Sequence, residues 1–194
     1  MSMPEFLLAL TLWGAWLAHW ILSSQGRKPH VRRESALSRA LQTLPVTLGG
    51  LLVLVPDFGL PSLDDHVSAR APVAGLCLLV AGLLFTIWAR QCLGDNWSAD
   101  VAIREGHELV CSGPYRLVRH PIYTGGAIAV AGCVVVGAQW RGLVGFVLIL
   151  ATLIWKSRLE ERWLSELFGD SYAAYRSKVP ALVPDLPQFI RATR

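Results

Sequence analysis

Residues 121–155 read PIYTGGAIAVAGCVVVGAQWRGLVGFVLILATLIW, thirty-five residues with Arg141 as their one charged side chain. Two apolar runs, 122–138 and 143–155, are parted only by Gln139, Trp140, Arg141 and Gly142. So short a link predicts an antiparallel helical hairpin. A bilayer-spanning helix needs roughly 17 to 25 residues. The first run meets that length, whereas the second rises only about 20 Å at 1.5 Å per residue, short of the roughly 30 Å hydrocarbon core. Residues 156–167 can supply the extension. Gly125, Ala129, Cys133 and Gly137 recur every four residues and share one face of the first helix. Small side chains admit close helix approach, so the second helix is expected to pack along that ridge.

Outward from the hairpin, residues 6–22, 41–55 and 72–89 read as three more transmembrane helices, the second short and kinked at Pro45. The composition agrees: 53% of the 194 residues are hydrophobic and 16% charged, with eight Trp and a mean hydropathy of +0.43. A water-exposed globular domain carries about 25% charged residues, so that class and intrinsic disorder are both excluded. The expected fold is all-α and polytopic: one membrane domain, 1–194, of five transmembrane helices ending in the helical hairpin. Three N-terminal spans occupy 1–90.

Loop charge sets the expected orientation. The first apolar run has Glu5 and no basic residue before it, with its positive charges following, which describes a retained anchor rather than a signal peptide. Residues 25–39 hold Arg27, Lys28, Arg32, Arg33 and Arg39 against Glu34; residues 56–70 hold Asp57, Asp64 and Asp65 against Arg70. The tail from Lys156 has seven basic residues against five acidic. Five spans with the N-terminus outside put the acidic loop outside and the basic segments in the cytoplasm, whereas four or six misplace the tail. The basic segment then flanks a membrane, and no nucleic-acid partner is expected. Cys77, Cys92, Cys111 and Cys133 form no C-x-x-C pair and no His cluster accompanies them, so neither a metal nor a disulfide framework is expected.

Polar residues concentrate in 91–120 and 156–184, both on the cytoplasmic side of the hairpin. Its two ends are adjacent, which brings Tyr115, Arg119, His120 and Tyr123 near Lys156, Arg158, Glu160 and Glu161. Ionisable groups at a membrane boundary are costly and commonly functional. Pro121 suits the first helical position, and the amides after it face an incoming anion. The plainer alternative has His120 capping the helix and Arg119 snorkelling to headgroups. Glu160 and Glu161 point about 100° apart, too far for a paired dyad, whereas Lys156 and Glu160 share a face. That pair is either a surface ion pair of a few tenths of a kcal/mol, or a carboxylate and a base assigned to bound ions of opposite sign.

The stretch LGDNWSADVAIREGHELVCSGPYRLVRHPIYTG at 93–125, followed after the hairpin by RLEERWLSELFGDSYAAYRSKVPALVP at 158–184, resembles the isoprenylcysteine carboxyl methyltransferase family. The elements G-x-Y-x-x-x-R-H-P-x-Y, E-E and F-G-x-x-Y-x-x-Y-x-x-x-V-P, in order around a hairpin, carry the resemblance. It implies a catalytic part in 91–194 with a cytosolic pocket for S-adenosyl-L-methionine, released as S-adenosyl-L-homocysteine. By motif, the donor contacts fall on His107, Glu108, Leu109, Val110, Tyr115, His120, Pro121, Ile122, Tyr123 and Glu160. In that arrangement the helix opening suits the donor's carboxylate, Glu160 its ammonium, aromatic faces its sulfonium, and Leu109 and Val110 wall the adenine.

The catalytic set implied is Arg119, Lys156, Arg158 and Glu161. The family's substrate-facing arginine, four residues before the matching glutamate, is Lys156 here, which lacks the bidentate fork of Arg; Arg158 lies two residues closer. The implied partners are membrane lipids and a lipophilic or lipidated methyl acceptor, such as a prenylcysteine-like carboxylate. A carboxylate needs no base, whereas an amine, phenol or thiol requires deprotonation by a group such as Glu161 or His120.

Two other readings stand beside this one. Some polytopic sterol reductases resemble the same C-terminal arrangement, and an NADPH-dependent reductase would turn Arg116 and Arg119 to the 2′-phosphate, though no G-x-G-x-x-G is present. A non-enzymatic scaffold or transporter explains the spans but not the clustered polar residues, since transport predicts ionisable groups at mid-span. His19 reads as a hydrogen-bonded packing residue and Cys111 as packing. Trp13, Trp16 and Trp20 either line a lipophilic entrance or form an interfacial aromatic belt, the belt being the cheaper account, and Asn96 and Trp97 read as folding a loop over the donor.

Overall fold

The computed structural model describes residues 3–23, 30–55, 70–97, 102–104 and 108–185. Their helices are α1 (Met3–Leu22), α2 (Ala36–Leu54), α3 (Ala71–Leu93), α4 (Pro121–Gly137), α5 (Trp140–Phe168) and α6 (Asp170–Lys178). Short 3-10 turns occupy Gly94–Asn96 and Gly113–Arg116. Two short strands, β1 (His30–Arg33) and β2 (Ala102–Arg104), form an antiparallel ribbon that the all-helical expectation did not contain.

The chain is a polytopic membrane protein. Four helices, α1, α2, α3 and α5, are long and apolar enough to cross a bilayer. α4 is apolar too but has 17 residues, so the fifth expected span is present as a helix at the lower limit of length. α2 runs through Pro45 as one helix and starts at Ser35, whose hydroxyl accepts from the Ser38 amide at 3.1 Å. α3 stops at Gly94, whose φ of 55° suits a residue without a Cβ. α5 continues unbroken through 156–168; its 29 residues rise about 43 Å, so its last turns project beyond the hydrocarbon.

The hairpin differs from expectation in two respects. Its turn is only Ala138, in the left-handed region, and Gln139; Trp140, Arg141 and Gly142 already belong to α5. Arg141 explains the early start, because its guanidinium donates to Gln139 Oε1 (2.5 Å), to Leu52 O (3.2 Å) and to Val55 O, tying α5 to the end of α2.

The small-residue face of α4 packs on α3 rather than on α5. A Cβ built on Gly82 would lie 2.5 Å from both Gly125 O and Ala129 N, and one on Gly132 would lie 2.5 Å from Gly75 O. Backbone meets backbone there, an approach that only glycine permits. α5 makes its own close approach to α2, where a Cβ on Gly49 would lie 2.6 Å from Gly145 O. A two-residue turn fixes antiparallel direction, but these glycine contacts decide which helices touch. The result is two tightly knit pairs, α3 with α4 and α2 with α5, with α1 laid against α3.

Candidate active site

The loop entering α4 and the C-terminal turns of α5 meet as the hairpin requires. His120 is buried at the start of α4, with Nδ1 3.4 Å from Glu160 Oε2 and Nε2 3.2 Å from Glu161 Oε1. Arg119 donates to Glu161 Oε1 through Nη2 (2.6 Å) and Nε (2.9 Å). Tyr123 donates its hydroxyl to Glu160 and stacks its ring parallel to the imidazole at 5.5 Å. Lys156 Nζ stands 5.7 Å above the Tyr123 ring. The two adjacent glutamates thus reach His120 from different directions, as their 100° offset requires.

The tail closes this cluster from behind. The amides of Arg119 and His120 donate to Pro180 O (2.9 Å) and Ala181 O (3.0 Å), and Thr124 Oγ1 donates to Leu182 O (2.7 Å). Arg119 Nη1 also donates to Val179 O. α6 adds Tyr175, whose hydroxyl donates to Tyr115 O (2.7 Å), and Arg176, whose Nε is 3.8 Å from Glu161 Oε2. Tyr175 and Thr124 were not among the expected site residues, although Tyr175 lies in the quoted F-G-x-x-Y-x-x-Y element.

Electrostatics favour the charged form of His120 and the neutral form of Tyr115 in this corner. Burial alone lowers the pKa of His120, but its hydrogen bonds to Glu160 and Glu161, reinforced by their charges, outweigh burial and hold it above the ordinary imidazole value. Tyr115, outside the helices, is driven the other way from ionisation by burial first and the Glu160 charge second. The first-turn amides of Ile122 and Tyr123 precede the reach of intrahelical bonding, which leaves the helix opening receptive to an anion.

A cavity of about 530 Å³ adjoins the cluster. Tyr115, Arg119, His120, Tyr123, Lys156 and Glu160 line its polar end. Most of the rest is apolar, including Val46 and Val53 of α2, Ile149 and Leu153 of α5, and Trp13 and Trp16 of α1, with Thr86 and Asn96 as polar exceptions. Those tryptophans, with Trp20, therefore form part of the cavity wall, the lipophilic lining that was one of their two expected roles. Their spacing of three and four residues sets them on one helix face, which in the fold is the face turned to the cavity.

Other expected residues fall elsewhere. Pro121 and Ile122 line the cavity beside His120. Glu161 is turned toward Arg119 and His120, away from the cavity lining, and Arg158 is exposed on another face of α5. Glu108 is exposed, its amide donating to Asn96 Oδ1 at 3.1 Å, while Leu109 and Val110 are half-buried and do not reach the cavity lining. Asn96 and Trp97 do line it. His107 lies outside the described residues. Cys111 is exposed, contrary to its expected packing role, and His19 Nε2 is buried without the hydrogen-bond partner expected of it among the described residues. Also among the described residues, no group of His, Cys, Asp or Glu is arranged to hold a metal ion.

Fold and site together define a polytopic helical membrane protein whose apolar cavity ends in a buried cluster of charged and aromatic side chains. The phospholipid methyltransferase family model matches residues 71–171, from α3 into α6, and the chain belongs to that family. It is 31% identical over 117 residues to protein-S-isoprenylcysteine O-methyltransferase B of Arabidopsis thaliana, covering 57% of each chain. To protein-S-isoprenylcysteine O-methyltransferase of Schizosaccharomyces pombe it is 38% identical over 101 residues, covering 48% of this chain and 41% of the relative. The chain thus spans about half the length of these curated relatives. The solved structure of the eukaryotic intramembrane Ras methyltransferase ICMT (isoprenylcysteine carboxyl methyltransferase) shares the fold, with a TM-score of 0.55 and 21% identity over 80% of this chain and 55% of that one.

Proposed function

We propose that this chain is an integral-membrane methyltransferase that moves a methyl group from S-adenosylmethionine to a lipophilic acceptor, a prenylcysteine-like carboxylate being the class favoured by the names of its relatives. The observation that carries the proposal is one continuous cavity that joins apolar helix walls to the His120, Tyr123 and Glu160 cluster. Bound there, S-adenosylmethionine supplies a methyl group activated by the adjacent sulfonium. The residues present fit it: Glu160 offers a carboxylate at the cavity edge to an ammonium, the rings of Tyr115 and Tyr123 offer faces to a sulfonium, and the opening of α4 accepts a carboxylate.

In-line methyl displacement needs alignment more than covalent assistance, and the chain's residues supply alignment. Glu161, held by Arg119 and His120, positions the imidazole, which in turn orients Glu160. Lys156 faces the acceptor's anionic end as a point charge, without the fork of an arginine. A carboxylate acceptor arrives ionised, so the commitment of both His120 ring nitrogens to carboxylates leaves the reaction without a handicap. The asymmetry of loop charge supports five spans with the N-terminus outside and this site on the cytoplasmic face.

Calorimetry on purified protein in detergent tests the proposal. S-adenosylmethionine or S-adenosylhomocysteine binds with micromolar-range affinity, roughly −8 kcal/mol. Binding of NADPH with no response to either would replace methyl transfer by the reductase reading.

A further inference from the structure

We infer that Trp13, Trp16 and Trp20 are the specificity-determining wall for the acceptor's hydrocarbon arm, and that this wall selects an unsaturated or aromatic arm over a saturated one. The inference rests on the methyl-transfer reading only for the word acceptor; the wall itself is read from geometry. Trp13 and Trp16 meet edge-on with centroids 5.4 Å apart, Trp16 and Trp20 lie tilted at 4.6 Å, and Trp20 meets Trp97 edge-on at 5.5 Å. All four rings line the cavity that holds Lys156 and Glu160 at its polar end.

The indole N–H groups of Trp13 and Trp16 are each committed to a partner on a neighbouring helix, Cys133 of α4 and Thr86 of α3, both of which also line the cavity. Trp16 donates to Thr86 Oγ1 at 2.7 Å and Trp13 to Cys133 Sγ at 3.4 Å. Both rings are therefore fixed in orientation, and those two present carbon surface to a ligand with no donor for an oxygen along its arm. Val46 and Val53 of α2 and Ile149 and Leu153 of α5, which line the same cavity, are aliphatic.

A fixed aromatic wall discriminates in two ways. Planar sp² units add ring-edge and ring-face attraction beyond area burial. They also have fewer rotors to immobilise than a saturated chain of equal carbon count. Neither advantage needs movement of the protein.

The test uses two pairs of probes on purified, detergent-solubilised protein, with binding read by tryptophan fluorescence and calorimetry. The first pair is farnesol and its fully saturated counterpart of identical branching; the second is the N-acetyl-cysteine thioether of each. Wild-type protein should bind farnesol about 10-fold more tightly than the saturated alcohol. In Trp20→Leu, which breaks no indole hydrogen bond described here, and in Trp16→Leu, the preference should fall to about 2-fold or less. S-adenosylmethionine affinity should be unchanged in both. Trp16→Phe, which keeps a ring but loses the bond to Thr86, should retain most of the preference.

Equal affinity for the two alcohols in the wild type, no binding of either, or a preference that survives both leucine variants overturns the wall. Failure of the methyl-transfer reading looks different: the alcohols bind with the expected preference, but the thioethers are not methylated and S-adenosylmethionine does not bind.

Discussion

Glu160 and Glu161 stand side by side in the chain, yet one opens on the cavity and the other is turned to Arg119. Glu160→Gln should weaken S-adenosylmethionine binding by about 1.5 to 3 kcal/mol, the range for hydrogen bonds to a charged group, with calorimetry as the measurement. Glu161→Gln leaves the mostly buried Arg119 guanidinium without its carboxylate and should lower stability by about 3 kcal/mol in thermal unfolding. Lys156→Ala should spare donor affinity while lowering turnover on an anionic acceptor, and Arg158→Ala, on the exposed face, should change neither. His120 adds a pH dependence. Its folded pKa is raised, so its stabilising contribution is complete below the unfolded value near 6.5 and is lost as pH rises through the folded value. The melting temperature should accordingly fall as pH rises from about 6.5 through the folded value, and His120→Gln should flatten this part of the profile. At this scale the sequence was largely readable. Spacing of four residues joins Lys156 to Glu160, and the hairpin carries both to His120. The tryptophans were not, because an indole on a span serves a belt or a wall according to what its helix faces, and that depends on helix packing.

The helices themselves were legible from apolar runs, and their partners were not. Periodicity identified a ridge of small residues on α4, but a ridge does not name its mate. Gly75 and Gly82 on α3 do, since their backbone carbonyls and those of Gly125 and Gly132 occupy the space where a Cβ would stand. Gly125→Ala, whose Cβ would lie 2.7 Å from Gly82 O, should therefore lower stability in detergent by about 1 to 3 kcal/mol. Gly14→Ala on α1, with nothing within 4 Å, should be neutral or slightly stabilising through helix propensity. Equal melting temperatures for the two variants would contradict the close α3–α4 approach. The short β1–β2 ribbon escaped notice because each strand has only three or four residues, too few for alternation to register.

Across the whole molecule, orientation rests on charge alone and is open to a direct check. Cysteine placed at Ser62, between α2 and α3 in sequence, and at Ser177, exposed on α6, should be labelled by an impermeant reagent from opposite sides of sealed vesicles in a background lacking the native cysteines. Labelling of both from one side would discard the five-span arrangement. The tail's stitching to α4, through Pro180, Ala181 and Leu182, bears on how the protein is made. Ribosomal synthesis runs from N- to C-terminus, so Arg119 and His120 enter the nascent chain some forty residues before Glu161 and some sixty before those carbonyls. During that interval the cationic entry to α4 has neither its carboxylates nor its backbone acceptors, and water or lipid phosphates must solvate it. Insertion of α4 and of the apolar part of α5 therefore precedes assembly of the polar corner, and residues translated some sixty positions after His120 are the ones that close it.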